Sequence, residues 1–148
     1  MTARDKILIV EKSVSICEML ERHLRHCGWR VRQELNPRSI FERDLARDAA
    51  VLITASQLEE FNGIDLIRQL RSDHPDMAAI LLLRYDDPFP MTRQQFVGLP
   101  LVGVLHKPIT IESAERLVRR GFPWNAHPEL RVMLSVFAEM EVLGLVGS

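Results

Sequence analysis

Few side chains in this sequence are spaced to do chemistry, and those that are follow the ends of short apolar runs. Glu11 and Lys12 follow Lys6 to Val10, Ala55 follows Ala49 to Thr54, Arg84 follows Ala78 to Leu83, and Lys107-Pro108 comes shortly after Leu101 to Leu105. A carboxylate among cations can hold a metal, take part in an ion pair or flank an anion site. Here one carboxylate, Glu11, is outnumbered by Lys12, Arg84 and Lys107, a formal +2. Mg²⁺ demands oxygen ligands, so the set predicts no metal site and no catalytic residue. Elsewhere His23, His26, His74, His106 and His127 show no ligand spacing, although His106 adjoins Lys107. Cys17 and Cys27 fall ten residues apart in one predicted helix. That is about 15 Å of rise, too far for them to bond each other, and they read as reduced thiols.

The elements that must position these residues alternate along the chain. The run KILIV is rich in β-branched residues and suits a buried parallel strand. Ser15 and Glu18 have capping-box spacing, and Ile16, Met19, Leu20, Leu24 and Cys27 continue as a helix that Gly28 stops. Trp29 to Leu35 reads as a half-buried strand, and Asn36-Pro37 as the start of a helix carrying Ile40, Phe41 and Leu45 inward. Ala49 to Thr54, Ala78 to Leu83 and Leu101 to Leu105 are further strands, with helices over Ile64 to Ser72 and Thr110 to Arg120. Pro88, Pro90 and Pro100 leave room only for a short helix near Thr92 to Val97. This pattern predicts an α/β fold, a doubly wound five-stranded parallel sheet with flanking helices. In such sheets the crevice lies outside the carboxyl ends of the strands, where the residues above are found.

In order and spacing, residues 5 to 121 resemble the receiver domain (CheY-like) of two-component response regulators. ILIV followed by Glu11-Lys12 stands where receivers carry a strand and an acidic pair. VLITA, with eight residues from Ala55 to Gly63, stands where they carry the phosphoacceptor strand and a loop ending in glycine. Lys107-Pro108 stands where they carry Lys-Pro, usually a cis peptide. The resemblance implies a phosphoacceptor aspartate, carboxylates for Mg²⁺ and a lysine for the developing charge. This chain has Ala55 at the first position, Glu11 beside Lys12 at the second, Arg84 in place of a small hydroxyl residue, and only Lys107 kept. Val104 replaces the aromatic that turns with that hydroxyl, so the family's switch is also missing. Thr54 and Ser56 point away from the lost carboxylate by strand alternation. Asp86 and Asp87 read as solvated turn residues with the option of pairing with Lys12 or Arg84.

Two roles remain for the cationic set: an ion pair of Arg84 or Lys107 with Glu11, or anion binding by Lys12, Arg84 and Lys107. The expected function is a degenerate pseudo-receiver, not an enzyme, acting as a phosphorylation-independent interaction module. The alternative is a sensor of a small anionic ligand. No cofactor is expected. The expected partners are proteins (a kinase, an output domain or a regulator) and a second copy of the chain.

The 148 residues suit one domain, with 47% apolar and 26% charged residues, and no run is long enough to span a bilayer. The net charge of −1 and the lack of a basic recognition helix argue against nucleic acid and membrane partners. A cytoplasmic location is expected. Residues 122–148 extend beyond the receiver-like domain of 1–121, as a turn at Phe122-Pro123-Trp124-Asn125 and an extra helix from Pro128 to about Leu145. Arg131, Ser135 and Glu139 make a narrow polar stripe on it. Leu130, Met133, Leu134, Phe137 and Met140 make an interaction face, and Val132, Val136 and Leu143 a third face. That helix could dock on its own domain, pair with a partner, or lead into an output domain.

Overall fold

A computed structural model describes residues 5–58, 60–84 and 98–142. Five strands, β1 (Lys6–Val10), β2 (Arg30–Gln33), β3 (Ala49–Ala55), β4 (Ala78–Leu83) and β5 (Leu101–His106), form one sheet. All neighbours are parallel, in the order β2-β1-β3-β4-β5. Among the described residues the helices are α1 (Val14–His26), α2 (Pro37–Glu42), α3 (Gly63–Asp73), α4 (Ile111–Ala126) and α5 (Arg131–Val142), with a 3-10 turn at Pro128–Leu130. The chain runs from β1 outward to β2 and then back across to β3, so the order reverses between β1 and β3. Val10 pairs with Thr54, which brings Glu11 and Ala55 to neighbouring strand ends at that reversal. The expected short helix near Thr92 to Val97, together with Asp86 and Asp87, lies outside the described residues.

Strand alternation explains the two-sided core. Ile7, Ile9 and Ile53 pack toward Cys17, Leu20 and Leu24 of α1 and Leu117 and Val118 of α4. Leu8, Val10 and Leu52 pack toward Ile64, Ile67 and Leu70 of α3. Every residue of β3 and β4 is buried, the reason these strands read as unbroken apolar runs. Each such large side chain contributes about 1.5–3 kcal/mol by leaving water.

Helix ends follow local chemistry with two corrections. Asn36 Oδ1 accepts from the Arg38 N–H at 3.0 Å, and Thr110 Oγ1 from the Ser113 N–H at 3.2 Å. Gly28 adopts φ +99 just past α1, a conformation that glycine takes without strain. The start of α1, however, is capped by Ser13 rather than by the Ser15–Glu18 box. A hydroxyl two residues nearer β1 already meets the first turn, so Ser15 falls inside the helix. Phe41, expected inward, is 39% exposed and pairs with Phe61 at 6.3 Å between ring centroids, while Ile40 and Leu45 are buried as expected.

The C-terminal part departs most from expectation. Residues 122–125, read as a turn, are helical, and α4 continues through Pro123 to Ala126. Phe122 stacks on Trp29 at 5.6 Å, and buried Trp124 donates from Nε1 to the Pro75 carbonyl at 3.3 Å. These contacts offset the backbone bond that proline removes. The expected boundary at residue 121 thus falls within a helix.

The last helix, α5, packs along β5, the edge strand of the sheet. Its Leu134 joins the core on one side of the sheet and Ala138 the core on the other, so the helix covers the open edge. Arg120 donates to the Val102 carbonyl of β5 at 3.0 Å and pairs with Glu141 at 3.2 Å. Arg131 donates to the Trp124 carbonyl at 2.8 Å and pairs with Asp76 at 2.8 Å. The polar stripe of Arg131, Ser135 and Glu139 is therefore half-buried. Leu134 is core rather than interaction surface, and among the described side chains the outward apolar ones are Val132, Met133, Val136 and Met140, with Leu130 partly buried. The Phe137 side chain and the expected helical end at Leu145 lie outside the described residues.

Candidate functional site

The carboxyl ends of β1, β3, β4 and β5 bring the expected residues to one end of the sheet. Glu11, the first residue past β1, is 4% exposed, and Lys107 Nζ donates to its Oε1 in an ion pair. Its other oxygen, Oε2, accepts from the Lys12 backbone N–H at 3.1 Å. The Glu11 side chain is 1% exposed and that of Lys107 is 21% exposed, so the carboxylate is dry and its partner reaches water. Lys107 is positioned by its own N–H, which donates to the Leu83 carbonyl at 2.8 Å, and by the cis Lys107-Pro108 peptide. Of the two sequence-level options for Glu11, Arg84 or Lys107, the fold selects Lys107.

Ala55 ends β3 and is 4% exposed, a methyl group at the strand end nearest Glu11. Thr54 is fully buried, and its hydroxyl donates to the Ala55 carbonyl at 3.1 Å. Its hydroxyl thus turns to backbone rather than standing in for the missing carboxylate. Gly63 closes the loop, donating to the Ser56 carbonyl at 2.8 Å. A Cβ on Gly63 would meet the Ala55 carbonyl oxygen at 2.0 Å, so the loop approaches β3 too closely for any side chain. That contact explains the glycine at the end of the eight-residue spacing.

The remaining cations sit at the surface. Arg84 is exposed at the end of β4, His106 is exposed at the end of β5, and Val104 is partly buried. Lys12 is exposed and lines a cleft of about 310 Å³ with Leu35, Asn36, Pro37, Leu58 and Phe61. Beneath the loop after β1, Cys17 Sγ donates to the Glu11 carbonyl at 3.2 Å. Burial, reinforced by the charges of Glu11 and Glu21, pushes the Cys17 thiol up to about 11.

These residues do not fit Mg²⁺. A hard cation needs several oxygen ligands, and Glu11 already has both oxygens engaged by Lys107 and the Lys12 N–H. The neighbouring Lys12 and Ala55 side chains supply no oxygen.

One cluster escapes a reading of the sequence. His23, in the last turn of α1, and Cys27, the residue that caps its C-terminus, are four residues apart, and α4 brings Glu115 against them. Nε2 of His23 lies 2.8 Å from Glu115 Oε1, and Cys27 Sγ donates to the same oxygen at 3.1 Å. The i, i+4 spacing is the one local signal, but the third member is 88 residues away from Cys27. His74 is buried near Asp44, and His26 and His127 are exposed.

No family model matches this chain. Among curated proteins, it is 25% identical over 109 residues to a probable transcriptional regulatory protein, TcrX, of Mycobacterium tuberculosis. The match covers 72% of this chain but spans only 45% of that protein's length. Among solved structures, it resembles the signal receiver domain of an HD domain-containing protein from Pseudomonas fluorescens Pf-5. There the TM-score is 0.72 and the identity 18%, over 83% of this chain and 98% of that one. A response regulator receiver domain protein from Clostridium thermocellum superposes with TM-score 0.69 at 20% identity, covering 80% and 94% of the two chains. The response regulator StyR matches 98% of this chain and 72% of its own, with TM-score 0.72 and 19% identity. The chain therefore has the receiver fold, whose strand order β2-β1-β3-β4-β5 it shares with other doubly wound sheets. Among the described residues no helix is long and apolar enough to cross a membrane.

Proposed function

We propose that this chain is a degenerate receiver domain of two-component signalling that works in the cytoplasm by docking other proteins, without phosphorylation and without an enzymatic activity of its own. The observation that carries this reading is the Glu11–Lys107 ion pair beside the Ala55 methyl group. Where the resembling family keeps carboxylates open for metal and phosphate, this chain holds its one carboxylate in an internal pair. The loops at the strand ends are thereby tied in one arrangement, which suits a constitutive docking surface for a kinase, an output domain or a regulator. Anion sensing by Lys12, Arg84 and Lys107 is the weaker reading, since Lys107 is engaged with Glu11.

For the partner surface, the outward strip of α5 is assigned to a second copy of the chain. Val132, Met133, Val136 and Met140 are 76%, 58%, 48% and 38% exposed. The strip carries no charge, so two copies meet without like-charge repulsion, and apolar strips of this kind suit a two-fold contact. Because Leu134 and Ala138 of the same helix are core, deleting α5 would uncover β5 and confound assembly with unfolding. A surface substitution is the cleaner probe.

The test has two arms on the full chain. Incubation with acetyl phosphate and Mg²⁺ followed by intact-mass measurement is expected to give no phosphate adduct; an adduct would sink the phosphorylation-independent reading. Light scattering after size exclusion is expected to show a dimer that Val136→Glu converts to a folded monomer. A wild-type monomer at high micromolar concentration would remove self-association from the reading.

A further inference from the structure

The cluster between α1 and α4 lies outside the strand-end site, and its chemistry is independent of the proposed signalling role. We propose that His23, Cys27 and Glu115 form a site for a divalent transition metal, with Zn²⁺ the best match, that bridges α1 to α4.

The geometry comes first. Sγ of Cys27 lies 3.8 Å from Nε2 of His23 and 3.1 Å from Oε1 of Glu115, and the last two atoms are 2.8 Å apart. Four-coordinate zinc, with bonds of about 2.0–2.3 Å, places its nitrogen, sulfur and oxygen donors about 3.3–3.6 Å from one another. The three donors thus already form a triangle close to the required size, and rotamer adjustments of a few tenths of an ångström complete it. Among the described residues, these are the His, Cys and carboxylate side chains that converge in this way.

Donor chemistry selects the class of ion. One thiolate, one imidazole and one carboxylate suit a borderline-soft cation, whereas Mg²⁺ and Ca²⁺ prefer oxygen alone. Thiolate and carboxylate together neutralise a divalent charge. All three residues are partly exposed, so an ion can enter and water can fill a fourth position. A cleft lined by Met19, Arg22, His23, His26 and Ile111 opens beside the imidazole.

The surroundings hold the carboxylate ready. Arg119 Nε donates to Glu115 Oε2 at 3.2 Å, leaving Oε1 turned to the other two donors. The guanidinium carbon of Arg119 sits 4.9 Å from the centroid of the Trp29 ring, which stacks in turn on Phe122. A fixed outer partner of this kind orients a metal ligand. Without metal, the same atoms satisfy each other by hydrogen bonds through Glu115 Oε1. Binding exchanges those bonds for metal bonds: Cys27 releases its thiol proton to solvent, and His23 gives up the Nε2 proton it donates to Glu115, retaining one on Nδ1, so that Nε2 offers its lone pair.

The experiment uses the full chain, reduced, with Co²⁺ as the spectroscopic probe and Zn²⁺ as competitor. One equivalent of Co²⁺ is expected to give a thiolate-to-cobalt charge-transfer band with tetrahedral d–d absorption, both removed by Zn²⁺. Cys27→Ala is expected to abolish the charge-transfer band, and Glu115→Gln and His23→Gln to weaken binding at least tenfold. Arg119→Met should weaken it by about tenfold, the lower end of what outer-partner losses produce, and Cys17→Ala should leave it unchanged. Circular dichroism of each variant confirms that loss of the band is not loss of fold. Absence of a thiolate–cobalt band at millimolar Co²⁺ would overturn the proposal, as would a band that persists in Cys27→Ala or disappears in Cys17→Ala.

Discussion

Substituting Lys107 by Met isolates what the Glu11–Lys107 pair contributes. The variant keeps the aliphatic stem of the lysine and leaves a carboxylate, 1% exposed, held by the Lys12 N–H at 3.1 Å. Removing one member of a buried ion pair costs about 3–5 kcal/mol, because the other charge stays desolvated. The lysine end is 21% exposed here, and water reaching that side replaces part of the lost interaction. A loss of about 2–4 kcal/mol is therefore expected. Glu11→Gln, which keeps the acceptor oxygen but not the charge, should cost less, about 1–3 kcal/mol, because an exposed lysine head can turn to solvent. In the double variant neither charge is stranded, so its loss should fall below the sum of the singles by about 1–3 kcal/mol. Urea unfolding followed by circular dichroism, read as midpoint and slope for all four proteins, measures the cycle. A Lys107→Met loss below about 0.5 kcal/mol, with strictly additive singles, would refute the reasoning that this pair ties the strand ends together.

Three further outcomes are expected. Gly63→Ala should destabilise by at least the upper part of the about 1–3 kcal/mol typical of overpacking, since the new Cβ would lie 2.0 Å from a backbone oxygen that cannot rotate away; thermal unfolding measures it. At Asp48, burial alone would push the carboxyl up, but Lys6 at 2.6 Å and Arg30 at 3.0 Å outweigh it and hold it below the ordinary value of 3.8. Its contribution is then present above that value and is lost as pH falls through the lower folded value, so Asp48→Asn should flatten the acid limb of a melting-temperature profile. Both thiols are held above their ordinary value, Cys27 by desolvation and by Glu115, so exposure sets the order: a thiol reagent should modify partly exposed Cys27 slowly in the folded protein but Cys17, 3% exposed, only on unfolding; peptide mass mapping against urea concentration reads the order.

The sequence by itself determined the sheet and the side chains at its strand ends. Apolar runs such as AAILLL declare fully buried strands because a parallel sheet with helices on both faces leaves no polar side. The Ala55 side chain has no oxygen in any conformation, so its inability to act as a side-chain nucleophile needed no coordinates. Caps at Asn36 and Thr110 and the stop at Gly28 were legible because they depend on bonds and backbone angles within a few residues. Tertiary structure decided the rest. Lys107 rather than Arg84 takes Glu11, a pairing between residues 96 apart in sequence that follow β1 and β5, strands separated in the sheet by β3 and β4. Pro123 reads locally as a helix breaker, yet Trp29 and Pro75, distant in sequence, receive Phe122 and Trp124 and keep the helix intact. The strip of α5 that faces out was set by β5, whose open edge takes Leu134 and Ala138 and turns Val132 and Val136 to water. Periodicity gives the faces of a helix, but only the surface it lands on decides which face is buried.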